Sequence, residues 1–334
     1  MKKALITLAL VLATACGGTV ATSPTPTATS SSSATATPIP SASASASPST
    51  SKSPIPLPTT AQVAAAGNGV VWMLVADRLF LSTDKGATWT ERTWPPQAPN
   101  AVIAFVSDKD GWRMESGSPA TQCQSQQVGI GNTFDGANTW RGLDGSGIAD
   151  AQCKGALAFS DTQHGYISAW SPNDRPVIYR TADGGKTWKA SAPLPDPAGF
   201  TTQPGGVSLR AGPVADFGSV LYVNATDTQQ HAYVFKSTDG GATWSVTGGA
   251  ISPTTVVFVS ATRWIQIGAP GESKETTDAG ASWHAFTTDY QQAAPVAPQI
   301  VFGDAQTGYA TVRGGLQRTT DGGLHWTALK TPGT

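Results

Sequence analysis

The sequence predicts an all-β fold built as a ring of small sheets, and three observations carry that prediction. First, the stretch RTADGGKTW (180–188) recurs. LSTDKGATW ends at Trp89, KSTDGGATW at Trp244, ETTDAGASW at Trp283 and RTTDGGLHW at Trp326, with a looser copy, NTFDGANTW, ending at Trp140. Second, successive tryptophans of this set lie 39 to 56 residues apart, around the period of a four-stranded propeller blade. Third, the segments between them are short apolar runs such as ALAF, VVF, IVF and ATV, and helical periodicity is hard to find after residue 60. The prediction is a single β-propeller of four-stranded blades over residues 61–334, with six blades and seven as the alternative.

The chain begins MKKALITLALVLATACGG, two lysines followed by an apolar run from Ala4 to Ala13 and small residues up to Cys16. This reads as an export signal over residues 1–15, too short for a comfortable membrane span. The Thr14-Ala15-Cys16 ending resembles the lipobox of bacterial lipoproteins, although Ala13 stands where that pattern prefers Leu. The resemblance implies a lipidated Cys16 and an extracytoplasmic protein anchored to a membrane. Residues 16–60 are almost entirely Ser, Thr, Ala and Pro with no aromatic residue. Such a stretch buries too little apolar area to offset its ordering entropy, so a disordered tether is expected. In a polyproline-like state it would reach roughly 130 Å.

The remaining residues divide into blades at about 61–97, 98–150, 151–198, 199–250, 251–290 and 291–332. A second, weaker element opens several of them. FSDTQHGY (159–166) and FGDAQTGY (302–309) share F-x-D-x-x-x-G-Y, FVSDKDGW (105–112) shifts the aspartate, and FVSATRW (258–264) is one residue shorter. Each blade thus reads strand, Asp-Gly turn, strand, short turn, strand, Asp-Gly turn, strand. Sheets with two apolar faces are buried by stacking radially on neighbours. How the ring closes, by a swapped strand or end to end, is open at this level. Net charge is −1, from 21 Lys and Arg against 22 Asp and Glu. No basic block provides a nucleic-acid footprint.

Within the recurring hairpin every residue type has a structural task. Asp84, Asp135, Asp183, Asp239, Asp278 and Asp321 are expected to accept backbone N–H groups one or two residues on, fixing the turn. Glycine supplies positive φ. Trp89, Trp140, Trp188, Trp244, Trp283 and Trp326 are expected to bury their rings between sheets. A catalytic group is needed once, whereas these recur around a circumference, so the motif reads as architecture. Past Cys16 the two cysteines, Cys123 and Cys153, are expected to form a disulfide. They are 30 residues apart, and closing a loop of that size contributes ~3 kcal/mol in the chain-entropy account. A metal or reactive-thiol reading lacks nearby histidines at ligand spacing.

The hairpin motif resembles the Asp-box, or bacterial neuraminidase repeat, of sialidases, sortilin-type receptors, some glucanases and photosystem II assembly factors. Together with F-x-D-x-x-x-G-W/Y it looks most like the photosystem II assembly factor-like propellers. The resemblance implies a box on the hairpin between the third and fourth strands, away from any active centre. A sialidase resemblance would imply an arginine triad, a tyrosine nucleophile with a glutamate, and an aspartate acid. The early Arg-Ile-Pro motif is absent, the only glutamates are Glu91, Glu115, Glu272 and Glu275, and Tyr166 and Tyr309 fall in the repeated G-Y element. The expectation is therefore a monomeric, non-catalytic surface propeller without metal or cofactor, binding a protein or glycan at the cell envelope. A sialidase-like glycoside hydrolase with a divergent site is the alternative. Candidate contacts are the segments that break the repeat: QCQSQQ (122–127), DGSGIAD (144–150) and Trp170 to Arg175.

Overall fold

The structure is a computed structural model that describes residues 52–95, 101–203, 208–229, 231–248, 256–268, 271–290 and 297–334. The export signal, Cys16 and the tether up to residue 51 lie outside the described residues. The described residues form six four-stranded antiparallel sheets, each made of four consecutive strands. Blade I comprises β1 (Ala61–Gly67), β2 (Val70–Val75), β3 (Arg78–Ser82) and β4 (Thr90–Arg92). Blade II, the one with the looser motif, is complete: Ala101–Phe105, Gly111–Ser116, Val128–Thr133 and Arg141–Leu143. Blades III to VI begin at Cys153, Arg210, Val256 and Gln299. The all-β prediction and the count of six hold.

The second strand of blade I explains why the sheets must stack. VVWMLV is an uninterrupted apolar run, and Val71 to Val75 are all buried. Val71, Met73 and Val75 pack with Tyr309 and Leu316 of blade VI, whereas Trp72 and Leu74 pack with Ile103 and Phe105 of blade II. Alternate side chains thus serve opposite interfaces, the period-2 rule of a strand. The core is accordingly six clusters, one between each pair of neighbouring blades. Each motif tryptophan packs into the cluster shared with the preceding blade: Trp89, Trp140, Trp188, Trp244, Trp283 and Trp326 in turn. Trp188 and Trp244 are buried and the other four are half-buried.

The F-x-D-x-x-x-G element has a steric explanation. Phe159 stacks flat on Trp112 of the preceding blade, ring centroids 3.8 Å apart, and Phe105 stacks on Trp72 at 3.9 Å. Each ring folds back over the glycine of its own turn. A Cβ on Gly165 would lie 2.5 Å from Phe159, and one on Gly111 would lie 2.1 Å from Phe105. Phenylalanine and glycine are therefore one unit, the ring filling the space that the missing side chain leaves.

In the Asp-Gly hairpins the carboxylate works further along the chain than the sequence expectation. Asp183 Oδ1 accepts the N–H groups of Lys186 and Thr187, three and four residues on, at 3.0 and 2.9 Å. Its Oδ2 accepts the Thr187 hydroxyl at 2.6 Å. Gly184 and Gly185, with φ of 75° and 92°, curl the chain so that those groups come round to face the carboxylate. Thr181 Oγ1 bonds the carboxylate at 2.8 Å and accepts Gly185 N–H at 3.0 Å. The hydroxyls of Thr88, Thr139 and Ser282 are the largest of the interactions that hold Asp84, Asp135 and Asp278 down to about 2.

Ring closure needs no swapped strand. Blade VI, with its own fourth strand Thr327–Leu329, abuts blade I, and Gln299 clamps β1 by accepting Val63 N–H at 3.0 Å and donating to Val63 O at 3.2 Å. Gln62 repeats this clamp on blade II, donating to Ala101 O and accepting from Ile103 N–H. Lys52–Thr60, expected to be tether, instead straps the closure. Ile55 N–H donates to Gly333 O at 2.8 Å, Thr59 N–H donates to Arg313 O at 3.1 Å, and Lys52 pairs with Glu91 at 2.7 Å. Ile55, Leu57 and Pro58 break the Ser/Thr/Ala run and give this segment something to pack; Ile55 joins the cluster between blades VI and I.

Two outcomes follow from these contacts. Gly165→Ala should destabilise by about 2 kcal/mol or more, because the ring it meets is pinned by Trp112 and Trp188; chemical denaturation checks this. The hairpin carboxylates sit below the ordinary value of 3.8, so their stabilisation is complete above about pH 4 and is lost as pH falls towards 2. Melting temperature should therefore drop across that window, and Asp183→Ala should lower it at neutral pH by removing one such set of bonds.

Candidate binding face

The antiparallel meander fixes two unlike faces. The first-to-second strand turns and the Asp-Gly hairpins, which join third strands to fourth, emerge together at one end. Backbone bonds tie them in pairs, among them Lys85 N–H to Gly69 O, Gly184 N–H to Gln163 O and Gly322 N–H to Gln306 O. The second-to-third turns and the links between blades emerge at the other end. All six motif aspartates thus lie on the first face.

The hairpin end of the axial channel holds a cavity of about 340 Å³, bordered by Phe105, Phe159, Phe258, Phe302, Asp216 and Asp304 among others. Its acids are occupied by their own turns. Asp304 accepts Gln306 and Thr307 N–H, and Asp216 accepts Gly218 N–H and the Tyr166 hydroxyl, the last at 2.9 Å. Burial and the Asp216 charge push the Tyr166 hydroxyl above its ordinary value. Tyr166 and Tyr309, 5% and 1% exposed, are core aromatics as expected.

The opposite face is where the repeat-breaking segments meet. Cys123, in the QCQSQQ insertion of blade II, is joined to Cys153 at the start of blade III. Ser125 bridges to Ala151, and Gln126 accepts Lys154 N–H at 2.8 Å while donating to Gly117 O at 2.7 Å. Gln152 donates to Arg175 O at 3.0 Å, and Asn173 donates to the Gln122 amide oxygen at 3.4 Å. The insertion, the end of DGSGIAD and the Trp170–Arg175 turn therefore form one continuous rim. The first half of DGSGIAD does something else: Ser146 O accepts Trp188 N–H at 2.7 Å, and Ser146 forms a parallel bridge with Thr187. That half covers the start of the outer strand of blade III.

Sequence reasoning missed the residue at the centre of this rim. Lys154 is 5% exposed, and its ammonium donates to the carbonyls of Gln126 (2.8 Å), Ala149 (2.6 Å), Ala151 (3.0 Å) and Gln152 (3.1 Å). Burial pushes it down to about 8, against the Asp150 charge that works the other way. Only its place beside Cys153 could have signalled it. Three residues of the rim, Gln122, Cys123 and Gln152, have φ of 55°, 55° and 68°, a region costly for side chains with a Cβ. The disulfide and the lysine cage hold that strained backbone in place. Next to it, Arg210 of blade IV lies over Trp170, its guanidinium carbon 3.7 Å from the ring centroid.

No protein-family model matches the chain, and no curated protein matches it in sequence. Among solved structures it is similar to YCF48 from Cyanidioschyzon merolae, a photosystem II assembly factor, at 16% identity and a TM-score of 0.51, over 82% of this chain and 87% of that one. It is also similar to the SapL1 lectin in complex with alpha methyl fucoside, at 14% identity and 0.52, over 82% and 97%. A polysaccharide lyase, an ulvan lyase, matches at 11% identity and 0.46, over 84% of each chain. Identities this low carry the fold and no more, a β-propeller, which in this chain has six blades.

Replacing Lys154 tests the rim directly. Lys154→Met would leave four carbonyls, those of Gln126 and Gln152 among them buried, without their donor and should cost about 3 kcal/mol. Hydrogen exchange should rise first in residues 122–127 and 149–153, with the outer strands of blade VI unchanged.

Proposed function

We propose that the protein is a non-catalytic, membrane-anchored propeller of the cell envelope that binds a protein or glycan partner through the rim formed by blades II and III. The observation that carries this reading is the convergence of the repeat-breaking segments. Strand parity alone brings these connections to one end, but it does not join them to one another, and strained backbone held by a disulfide and a buried charge is a costly way to make a turn. The export signal, the lipobox-like Cys16 and the Ser/Thr/Pro/Ala tether support display outside the cytoplasm.

The carboxyls favour binding over hydrolysis. Glu91 is held down to about 2 through its bonds with Arg78 and Lys52, which keeps it ionised and unsuited to act as a glycosidase acid. Glu115 and Glu275 are ion-paired with Arg113 and Arg263.

A photo-crosslinking amino acid placed at the exposed Gln124 of the rim should capture one discrete envelope component in intact cells, whereas the same probe at Lys186 on the hairpin face should capture none. Adducts from Lys186 alone would reverse the assignment of faces. In the same cells Cys16→Ala should move the protein from the membrane to the soluble fraction.

A further inference from the structure

The Arg210–Trp170 pair has a chemistry that the rest of the rim does not. Arginine on a protein surface usually pairs with an acid or moves freely. Arg210 is exposed, makes no ion pair with any described acid, and holds its guanidinium carbon 3.7 Å from the centre of the indole ring. A guanidinium set over an aromatic face keeps N–H donors for a carboxylate, which it receives through two parallel bonds. The neighbouring acids are engaged elsewhere. Asp196 takes Arg175 at 2.9 Å and the Thr202 hydroxyl at 2.8 Å, and Asp174 accepts Arg175 N–H at 2.7 Å.

Around this fork the rim is polar. Gln122, Gln124 and Ser125 are exposed, and Trp170, the cross-strand partner of disulfide-bonded Cys153, ties the fork to them. The exposed large hydrophobics among the described residues are Leu57, Phe134 and Leu324, on the strap and the hairpins, none of them here. A protein interface of ordinary stability would need an apolar centre. Amide and hydroxyl groups beside one pre-oriented cation suit a ligand rich in hydroxyls with a carboxylate. We infer that Arg210, positioned by Trp170, is the receptor for the carboxylate of an acidic glycan. This rests on the reading of the rim as the binding face.

The test uses the full chain and four polymers: polygalacturonate, neutral dextran, polyglutamate and chondroitin sulfate, measured by calorimetry. Polygalacturonate should bind, dextran should not, and affinity should fall as salt rises. Arg210→Ala should weaken polygalacturonate binding about tenfold or more, and Arg210→Lys, which keeps charge without the fork, should lose most of it too. Trp170→Leu should weaken binding while Lys186→Ala, on the hairpin face, leaves it near the native value, all four variants melting within a few degrees of the parent. Chondroitin sulfate, which also carries uronate, should compete with polygalacturonate. The inference is overturned if no acidic glycan binds, if Arg210→Ala binds as the parent does, or if polyglutamate binds as tightly as polygalacturonate. Continued crosslinking from Gln124 in any of those cases would leave the binding face standing and remove only its ligand class; loss of both would remove both.

Discussion

Each sheet in this ring is apolar on both faces, and that single property dictates most of what surrounds it. A four-stranded sheet such as blade I, with Trp72 directed to one side and Met73 to the other, has no soluble state by itself. It must find two neighbours, and so must they, until the row closes on itself. The contact that repeats at these joints is aromatic: a phenylalanine at the end of an inner strand lies on an aromatic residue of the blade before, as Phe105 on Trp72, Phe159 on Trp112 and Phe258 against Tyr222. Where the ring passes over its own turn, as at Phe105, Phe159 and Phe302, glycine follows six residues later; after Phe258 that place is taken by Trp264. The hairpin tryptophan then closes the outer part of the same joint.

The six-blade architecture was legible in the sequence because this joint leaves a mark at every repeat. An aspartate, a glycine and a tryptophan at fixed spacing record a turn of fixed shape, and the shape does not depend on what the protein binds. Even blade II, where the glycine of NTFDGANTW has moved, kept its geometry: Asp135 still accepts the Thr139 N–H and hydroxyl at 3.0 and 2.6 Å. Ala137, at φ 61°, takes the left-handed position that glycine holds in the other copies. The disulfide was legible for a different reason, two cysteines left over beyond Cys16 with no metal-ligand partners beside them.

What the sequence did not reveal is non-repetitive and non-local. Lys154 becomes a structural centre only when four carbonyls from two segments close around it, and nothing in CKGALAF announces that. Arg210 lies 40 residues beyond Trp170 in the chain, and their contact exists because the first strand of blade IV runs beside the second strand of blade III. The strap has the Ser/Thr/Pro composition of a tether and hides its one packed apolar side chain, Ile55. That side chain, two backbone bonds and the Lys52–Glu91 pair dock the strap where the ring closes.

That docking places the strap and the rim on the same face of the ring. The strap runs past Arg313 and Gly333 and leads into Ala61, where the inner strands begin; Cys153 and Arg210 stand at the equivalent positions of blades III and IV. The hairpin face, with its satisfied aspartates, is left to hold the blades together. A repeat protein of this design divides its labour by end rather than by blade. Selection for stability acts on the hairpin end and must act on all six copies alike, because one loose joint opens the ring. The other end is free of that demand, so an insertion, a disulfide and an unpaired arginine can collect there without loosening the joints. The separation of faces is thus a consequence of the meander itself: strand parity puts every third-to-fourth turn at one end and leaves the other to the connections that vary from blade to blade.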